Sequence, residues 1–329
     1  MHRRTFIAQA SAATAIVGSA HAQDSSGTAP YAAAVMRIPI IVPPSGDALN
    51  DVRNKNASAM VDALESVMKG PGPKPRLVVF PVLQYTSARR AVSGVPMSAV
   101  AVDLISEHLD KSIFAPVVAA CRRHNCYVST STQEKVPQMP GRFFHTGFIM
   151  GPEGLVLRSP KSQAQSAPEV SYLRDFPDEY TKIFGPDSIL PVVQTPIGKL
   201  GCYVEGEAEV LEVSRLLASK GAEVIAHTSM ESDEVPWQAL KQAIGYQCHV
   251  YLLTGATSRF IMPKNPTGEW SGGSATIVGP DGKIMAQKGG HDEGAAVATI
   301  DLAAVATSIK KHGRNTVPAW NLYTKLYKG

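Results

Sequence analysis

The chain has 329 residues, 44% of them hydrophobic and 18% charged, with a net charge of +4. That make-up suits a globular chain with a sizeable core and excludes a disordered or low-complexity polypeptide. The positive charge is spread along the chain with no basic block, which argues against a nucleic-acid partner.

The first segment, "MHRRTFIAQASAATAIVGSAHAQ", has a basic start, an Ala-rich apolar middle and a small-x-small end at Ala20-His21-Ala22. It reads as an export signal over residues 1–22. Arg3-Arg4 followed by Phe6-Ile7 fits the twin-arginine type, with an ordinary secretory signal as the alternative. The mature chain is expected to begin near Gln23 and to work in the periplasm. No later apolar run is long enough to span a bilayer, so no membrane association is expected after signal removal. Residues 23–31 read as a linker.

From there the pattern is strand, helix, strand. "AAVMRIPIIV" predicts a strand, "NASAMVDALESVMKG" an amphipathic helix closed by Gly70, and "RLVVFPV" a short interior strand. A helix near 112–124, the strand "CYVSTST" and the hairpin "FFHTGFIMGPEGLVLRS" follow. Cys121 and Cys126 lie at the helix-to-strand turn, either as a disulfide or as buried free thiols. The second half repeats the order. "PIGKLGCYV", a helix ending at Lys220-Gly221, "AEVIAHTS", the helix "PWQALKQAIGYQ", the strand "CHVYLLTG" and the hairpin "GGSATIVGPDGKIMAQK" appear in turn. "NCYV" answers "QCHV", and Gly-Pro-acid-Gly marks both hairpin turns. Each half would bury one sheet face under helices and leave the other apolar, and packing the two faces together covers both. The predicted fold is α/β: a four-layer α-β-β-α sandwich with an internal two-fold pseudo-repeat. One domain spans 32–302, and a C-terminal arm spans 303–329.

That order and those turns resemble the nitrilase (carbon-nitrogen hydrolase) superfamily. The resemblance is carried by "LVVFP" at Leu77–Pro81, "GPEG" in the first hairpin, "GKLG" and "SRLLASKGAEVI" around the corner Glu205-Gly206-Glu207, and "GGSATIVGPDG". It implies the nitrilase-type sandwich and a Glu-Lys-Cys triad: a base, an oxyanion lysine and a cysteine nucleophile. Carried over residue by residue, each member departs. The base position is Val82. The lysine position is Ser162, with Lys161 one residue early. The nucleophile position is Glu205, and the acid two residues further on is retained as Glu207.

Cys202 lies an odd number of residues before Glu205, so strand alternation turns it to the other face. It is expected to be a buried thiol, and cysteine-nucleophile chemistry is not expected. Glu205 is a poor nucleophile toward amides, because the mixed anhydride would collapse back rather than expel an amine. It is a candidate base for water if burial raises its pKa, with Lys161 at the oxyanion. Glu205→Gln is then expected to leave folding unchanged or slightly improved. Glu207, His227, His145 and Glu134 are further pocket candidates, and no metal or cofactor is expected. Specificity would sit in the loops 84–100 and 260–270.

Two functions stay open. One is an exported hydrolase of a small amide or nitrile working by the modified route. The other is an inactive nitrilase-fold protein that binds a small ligand or a protein partner. A homodimer or larger even homo-oligomer is expected from the apolar stripe Val210, Val213, Leu216 and Leu217 and from the aromatic tail "NTVPAWNLYTKLYKG".

Overall fold

β1 (Tyr31–Ile41) is buried along almost all of its length, as a strand with neighbours on both edges and both faces must be. It is the hub of the computed structural model, which describes residues 28–42, 48–82, 114–163, 170–231, 234–262 and 264–312. β1 runs parallel to β2 (Pro75–Val79) on one side and to β9 (Tyr251–Met262) on the other. The register with β9 slips between Ile38 and Ile40, where Pro39 has no N–H to give the ladder.

From β2 the sheet continues parallel into β3 (Tyr127–Lys135), then antiparallel into β4 (Phe143–Gly151) and β5 (Gly154–Pro160). From β9 it continues parallel into β8 (Val224–Ser229) and β7 (Gly198–Val204), and ends antiparallel at β6 (Val192–Thr195). β10 (Asn265–Trp270) and β11 (Ala275–Val278) pair with β9, β12 (Ile284–Lys288) with β11, and β13 (Gly294–Ile300) with β1. The helices are α1 (Leu49–Lys69), α2 (Ala115–His124), α3 (Pro177–Phe184), α4 (Leu211–Ser219), α5 (Glu234–Cys248) and α6 (Leu302–His312).

The sequence predicts two separate sheets. The structure joins them through the β1–β9 pair into one 13-stranded sheet whose two wings face each other. A single apolar cluster takes Leu77, Val79, Ile149 and Leu157 from one wing and Leu200, Cys202, Val224 and Leu253 from the other. The wings are close at Gly147: a Cβ there would lie 3.0 Å from Val204 Cγ1, so a larger residue would require Val204 to shift. Outside the first wing, α1 and α2 set Met60, Leu64, Val117 and Cys121 on Val78, Val128 and Phe148. Outside the second, α4 and α5 set Val213, Leu217 and Ile244 on Tyr203, Ile225 and Leu252. The layers therefore run helix, sheet, sheet, helix. Among the described residues, the order strand, helix, strand, helix, strand, hairpin occurs twice, from β1 to β5 and from β7 to β12, with β10 inserted in the second run.

Three expectations change. The stripe on α4 covers this chain's own sheet: Val213 and Leu217 are buried there, and Val210 and Leu216 pack beside them. Half of the stripe is therefore spent within the chain. The first part of the expected arm is helix α6, which sends Leu302 and Val305 into the core between the wings. The segment 260–270, read as a loop, is the far end of β9 and its hairpin partner β10. The signal 1–22, the loop 84–100 and the tail 313–329 lie outside the described residues. Among the described residues, no helix is long and apolar enough to cross a membrane.

Candidate active site

β7 is extended up to Val204, which has φ −126° and ψ 138°. Glu205 then takes φ +47°, and the chain enters a 3-10 turn over Glu205–Glu209 before α4 begins at Leu211. A left-handed conformation costs a residue with a Cβ about 1–2 kcal/mol, so the surroundings must hold Glu205 in place. His227, on the parallel neighbour β8, does so from behind. Its Nε2 lies 3.0 Å from the Glu205 carbonyl oxygen, and its Nδ1 lies 3.1 Å from Thr254 Oγ1. A carbonyl only accepts, so Nε2 carries the proton and Nδ1 accepts from the Thr254 hydroxyl. Burial first, and then the charge of Lys241, lower the His227 pKa to about 3. The ring is therefore neutral at ordinary pH, as that hydrogen-bond pattern requires. Tyr203 and Trp237 flank it, with ring centroids 5.0 and 6.0 Å away.

The Glu205 side chain turns the other way, toward the first wing. Its Oε2 lies 3.2 Å from Lys161 Nζ and 3.5 Å from His145 Nδ1. Lys161 directly follows β5, and its N–H continues the ladder to His145 O at 2.8 Å. His145 is fixed at its other nitrogen by Ser131 Oγ, 2.9 Å from Nε2. Burial alone would raise the Glu205 pKa. The charges and hydrogen bonds of His145 and Lys161 outweigh it and hold the carboxyl well below the usual range. The Glu205 side chain is 21% exposed, against 6% for Lys161 and 5% for His145. The carboxylate is thus the outermost member of the cluster.

Two residues on, Glu207 has the opposite environment. Its Oε1 accepts from Ser162 N at 2.7 Å and Ser162 Oγ at 2.6 Å, and its Oε2 accepts from Val204 N at 3.2 Å. Burial raises its pKa, and the bonds from Ser162 and Val204 oppose the rise only in part. Lys161 and Ser162 therefore serve one carboxylate each: the lysine holds Glu205, and the serine holds Glu207 and with it the turn.

The model of the carbon-nitrogen hydrolase family matches residues 33–310. The chain belongs to the carbon-nitrogen hydrolase family. It is 28% identical over 138 residues to a bifunctional nitrilase/nitrile hydratase, NIT4B of Lupinus angustifolius, covering 37% of this chain and 39% of that one. It is 29% identical over 137 residues to nitrilase 3 of Arabidopsis thaliana, with the same shares. The match thus spans about two fifths of these curated relatives. Among solved structures, the NitFhit protein of C. elegans superposes with a TM-score of 0.64 at 21% identity, over 90% of this chain and 66% of that one. A carbon-nitrogen hydrolase from Helicobacter pylori gives 0.63 at 17% identity, over 91% of this chain and 99% of that one. Likeness at these identities speaks for the fold.

Within this carbon-nitrogen hydrolase fold, the structure brings together Glu205, Lys161, His145 and Glu207, with His227 behind the corner. It does not bring in Glu134. Gln133 pairs with His145 across β3 and β4, so Glu134 points to the opposite face. There its Oε2 accepts from Thr146 Oγ1 at 2.6 Å, and its Oε1 lies 3.0 Å from Arg158 Nε. Glu134 is removed from the pocket candidates for that reason. Val82 lies in an apolar cluster with Ile40, beside Met230 and Phe260, which supplies no base.

Cys202 is buried, and its pKa is pushed well up by burial and then by the Glu207 charge. The reason differs from strand alternation. The left-handed Glu205 breaks the alternation and swings its carboxylate to the same inter-wing side as the thiol. Cys202 is kept apart by depth, under Val204 and Gly147 in the core.

Ser131 was not among the candidates. The signal for it is the small polar run "STST" inside a strand that is buried throughout, where apolar side chains would otherwise stand. Glu231 Oε2 and Lys241 Nζ form a buried pair at 2.6 Å. It ties the end of β8 to α5 and to Ser274. Among the described residues, no group of His, Cys, Asp and Glu is arranged to hold a metal ion.

Proposed function

We propose that this family member is an exported protein that works without thiol chemistry and uses the Glu205 corner to bind a small polar carbon-nitrogen compound. The observation that carries this reading is the pairing of Glu205 with both Lys161 and His145. A carboxylate held below its usual pKa is a weak base near neutral pH. As a nucleophile it forms an anhydride that reverts. As a fixed anionic acceptor it suits an N–H donor, such as an amide or amine. Lys161 and His145 both lie against Oε2, and Oε1 is proposed for that role. The protein is further proposed to be periplasmic and to assemble as a homodimer or larger even homo-oligomer.

A second reading is favoured by the convergence of Lys161 and Glu205 at 3.2 Å. In it Glu205 takes a proton from water, Lys161 stabilises the oxyanion, and a small amide or nitrile is hydrolysed. That route requires Lys161 to leave the carboxylate when substrate arrives. Calorimetric titration and ammonia release, run side by side on a panel of small amides, amines and nitriles, separate the two. Binding heat without ammonia is expected, with the heat lost in Glu205→Gln. Ammonia release by the unaltered protein that disappears in Glu205→Gln would replace binding with hydrolysis. Neither signal across the panel counts against a small-molecule pocket and in favour of a protein partner.

A further inference from the structure

The end of α2 has a specific backbone lock. Asn125 is left-handed, with φ 48° and ψ 52°. Its N–H donates to Arg122 O at 3.4 Å, and the N–H of Cys126 reaches back to Cys121 O at 3.1 Å. These are the nested bonds of a Schellman motif, in which the side chains at the two ends of the outer bond come into contact. Here both of those residues are cysteines. Cys121 and Cys126 are fully buried in the same apolar cluster, where the Cys121 thiol donates to Met150 O at 3.8 Å. Helix-end geometry has thus placed a dithiol five residues apart, with nothing else for the two sulfurs to do in the corner site.

We infer that Cys121 and Cys126 are a dithiol–disulfide site, closed into an intramolecular disulfide when the chain folds in the presence of a small-molecule disulfide. Cys126 attacks one sulfur of the small disulfide and releases its partner as a thiolate. Cys121 then attacks Cys126 Sγ, forming the bond between the two cysteines and releasing the second small thiolate. The two protein thiol protons go to the two thiolates released, so the chain loses two hydrogens and the small disulfide is reduced by two electrons. Cys126 attacks first because the neighbouring Cys121 lowers its pKa, whereas Cys126 and burial raise that of Cys121. The product would clamp the end of α2 to the start of β3.

Trypsin offers a direct readout, because Arg122 and Arg123 lie between the two cysteines. The full chain without its leader is refolded from denaturant in mixed oxidised and reduced glutathione, alkylated and digested without reduction. The expected product is peptide 112–122 linked to peptide 124–135, two hydrogens lighter than the sum of the separate peptides, while Cys202 and Cys248 are recovered alkylated. The same linkage should survive in Asn125→Gly, which keeps the left-handed turn. Separately alkylated Cys121 and Cys126 in the refolded protein, or Cys126 linked to Cys202 or Cys248, would overturn the assignment. Folded protein treated with oxidised glutathione alone should react slowly, because both sulfurs are buried. Rapid glutathione adducts at Cys121 or Cys126 without linkage would also count against it.

Discussion

Lys161 Nζ lies 3.2 Å from Glu205 Oε2, 44 residues apart in the chain and on opposite wings of the folded sheet. With His145 Nδ1 3.5 Å from the same oxygen, this contact gives a strained corner carboxylate two nitrogen partners. It also decides the sign of the first prediction.

Glu205→Gln is expected to destabilise the protein by about 2 kcal/mol at pH 7, because it leaves the buried Lys161 without its counter-ion. This reverses the expectation from sequence, in which an unpaired buried charge was to be relieved. Lys161→Met should cost a similar amount. A carboxyl with a lowered folded pKa contributes its full stabilisation above its ordinary value and loses it as pH falls toward the folded value. The gap between unaltered and Lys161→Met protein should therefore narrow below about pH 4.5. Urea unfolding at pH 7, 5 and 3.5 measures both effects, and a more stable Glu205→Gln at pH 7 would refute the pairing argument.

Glu207 should behave in the opposite sense. Its folded pKa is raised above 4.5, so the ionised form is the costly one and its contribution falls as pH rises past that value. Glu207→Gln weakens the hold on Ser162 and Val204, yet its deficit relative to the unaltered protein should shrink between pH 4.5 and 8. A deficit that widens over that range in urea titrations would show that the carboxylate is better stabilised than its burial indicates.

His227 governs the acid limb. Its pKa falls from 6.5 to about 3 on folding, so its stabilisation is complete above 6.5 and is lost as pH drops through that window, at up to about 1.4 kcal/mol per pH unit. His227→Gln is expected to be less stable at pH 7 but to have a flatter pH dependence between 6.5 and 4. Parallel slopes for the two proteins would remove His227 as the titrating group.

Cys202 should be inert in the folded protein. Iodoacetamide is expected to give no adduct there by intact mass until urea is added, and Cys202→Ala should leave any turnover unchanged. A substrate-protectable adduct at Cys202 would restore thiol chemistry to this chain.

Val213 and Leu217 of the α4 stripe are used within the chain, so the tail is the part of the assembly proposal that truncation tests. Cutting after Lys311 is expected to lower the oligomer order seen by light scattering at micromolar concentration. A monomer before the cut, or the same oligomer after it, would end the proposal that the tail holds the assembly together.

The sequence by itself determined the layered α/β order, because strand and helix periodicities and turn residues are local properties that short windows express. It also determined that Val82 and Glu205 stand where the resemblance puts a base and a thiol, since identity at a position needs no coordinates. Tertiary structure alone decided which charges meet. Glu134 was lost to the site because the register of β3 on β4 puts Gln133, not Glu134, beside His145. Lys161, His145 and Ser131 were gathered by the pairing of β3, β4 and β5, and Glu205 was brought to them by the folding of one wing over the other. Even the side chosen by Glu205 was settled by a single positive φ, because one left-handed residue cancels the two-residue alternation on which the sequence argument depends. Pairing between distant strands and a broken alternation both arise from long-range packing, and packing of that kind leaves no periodic trace in the chain.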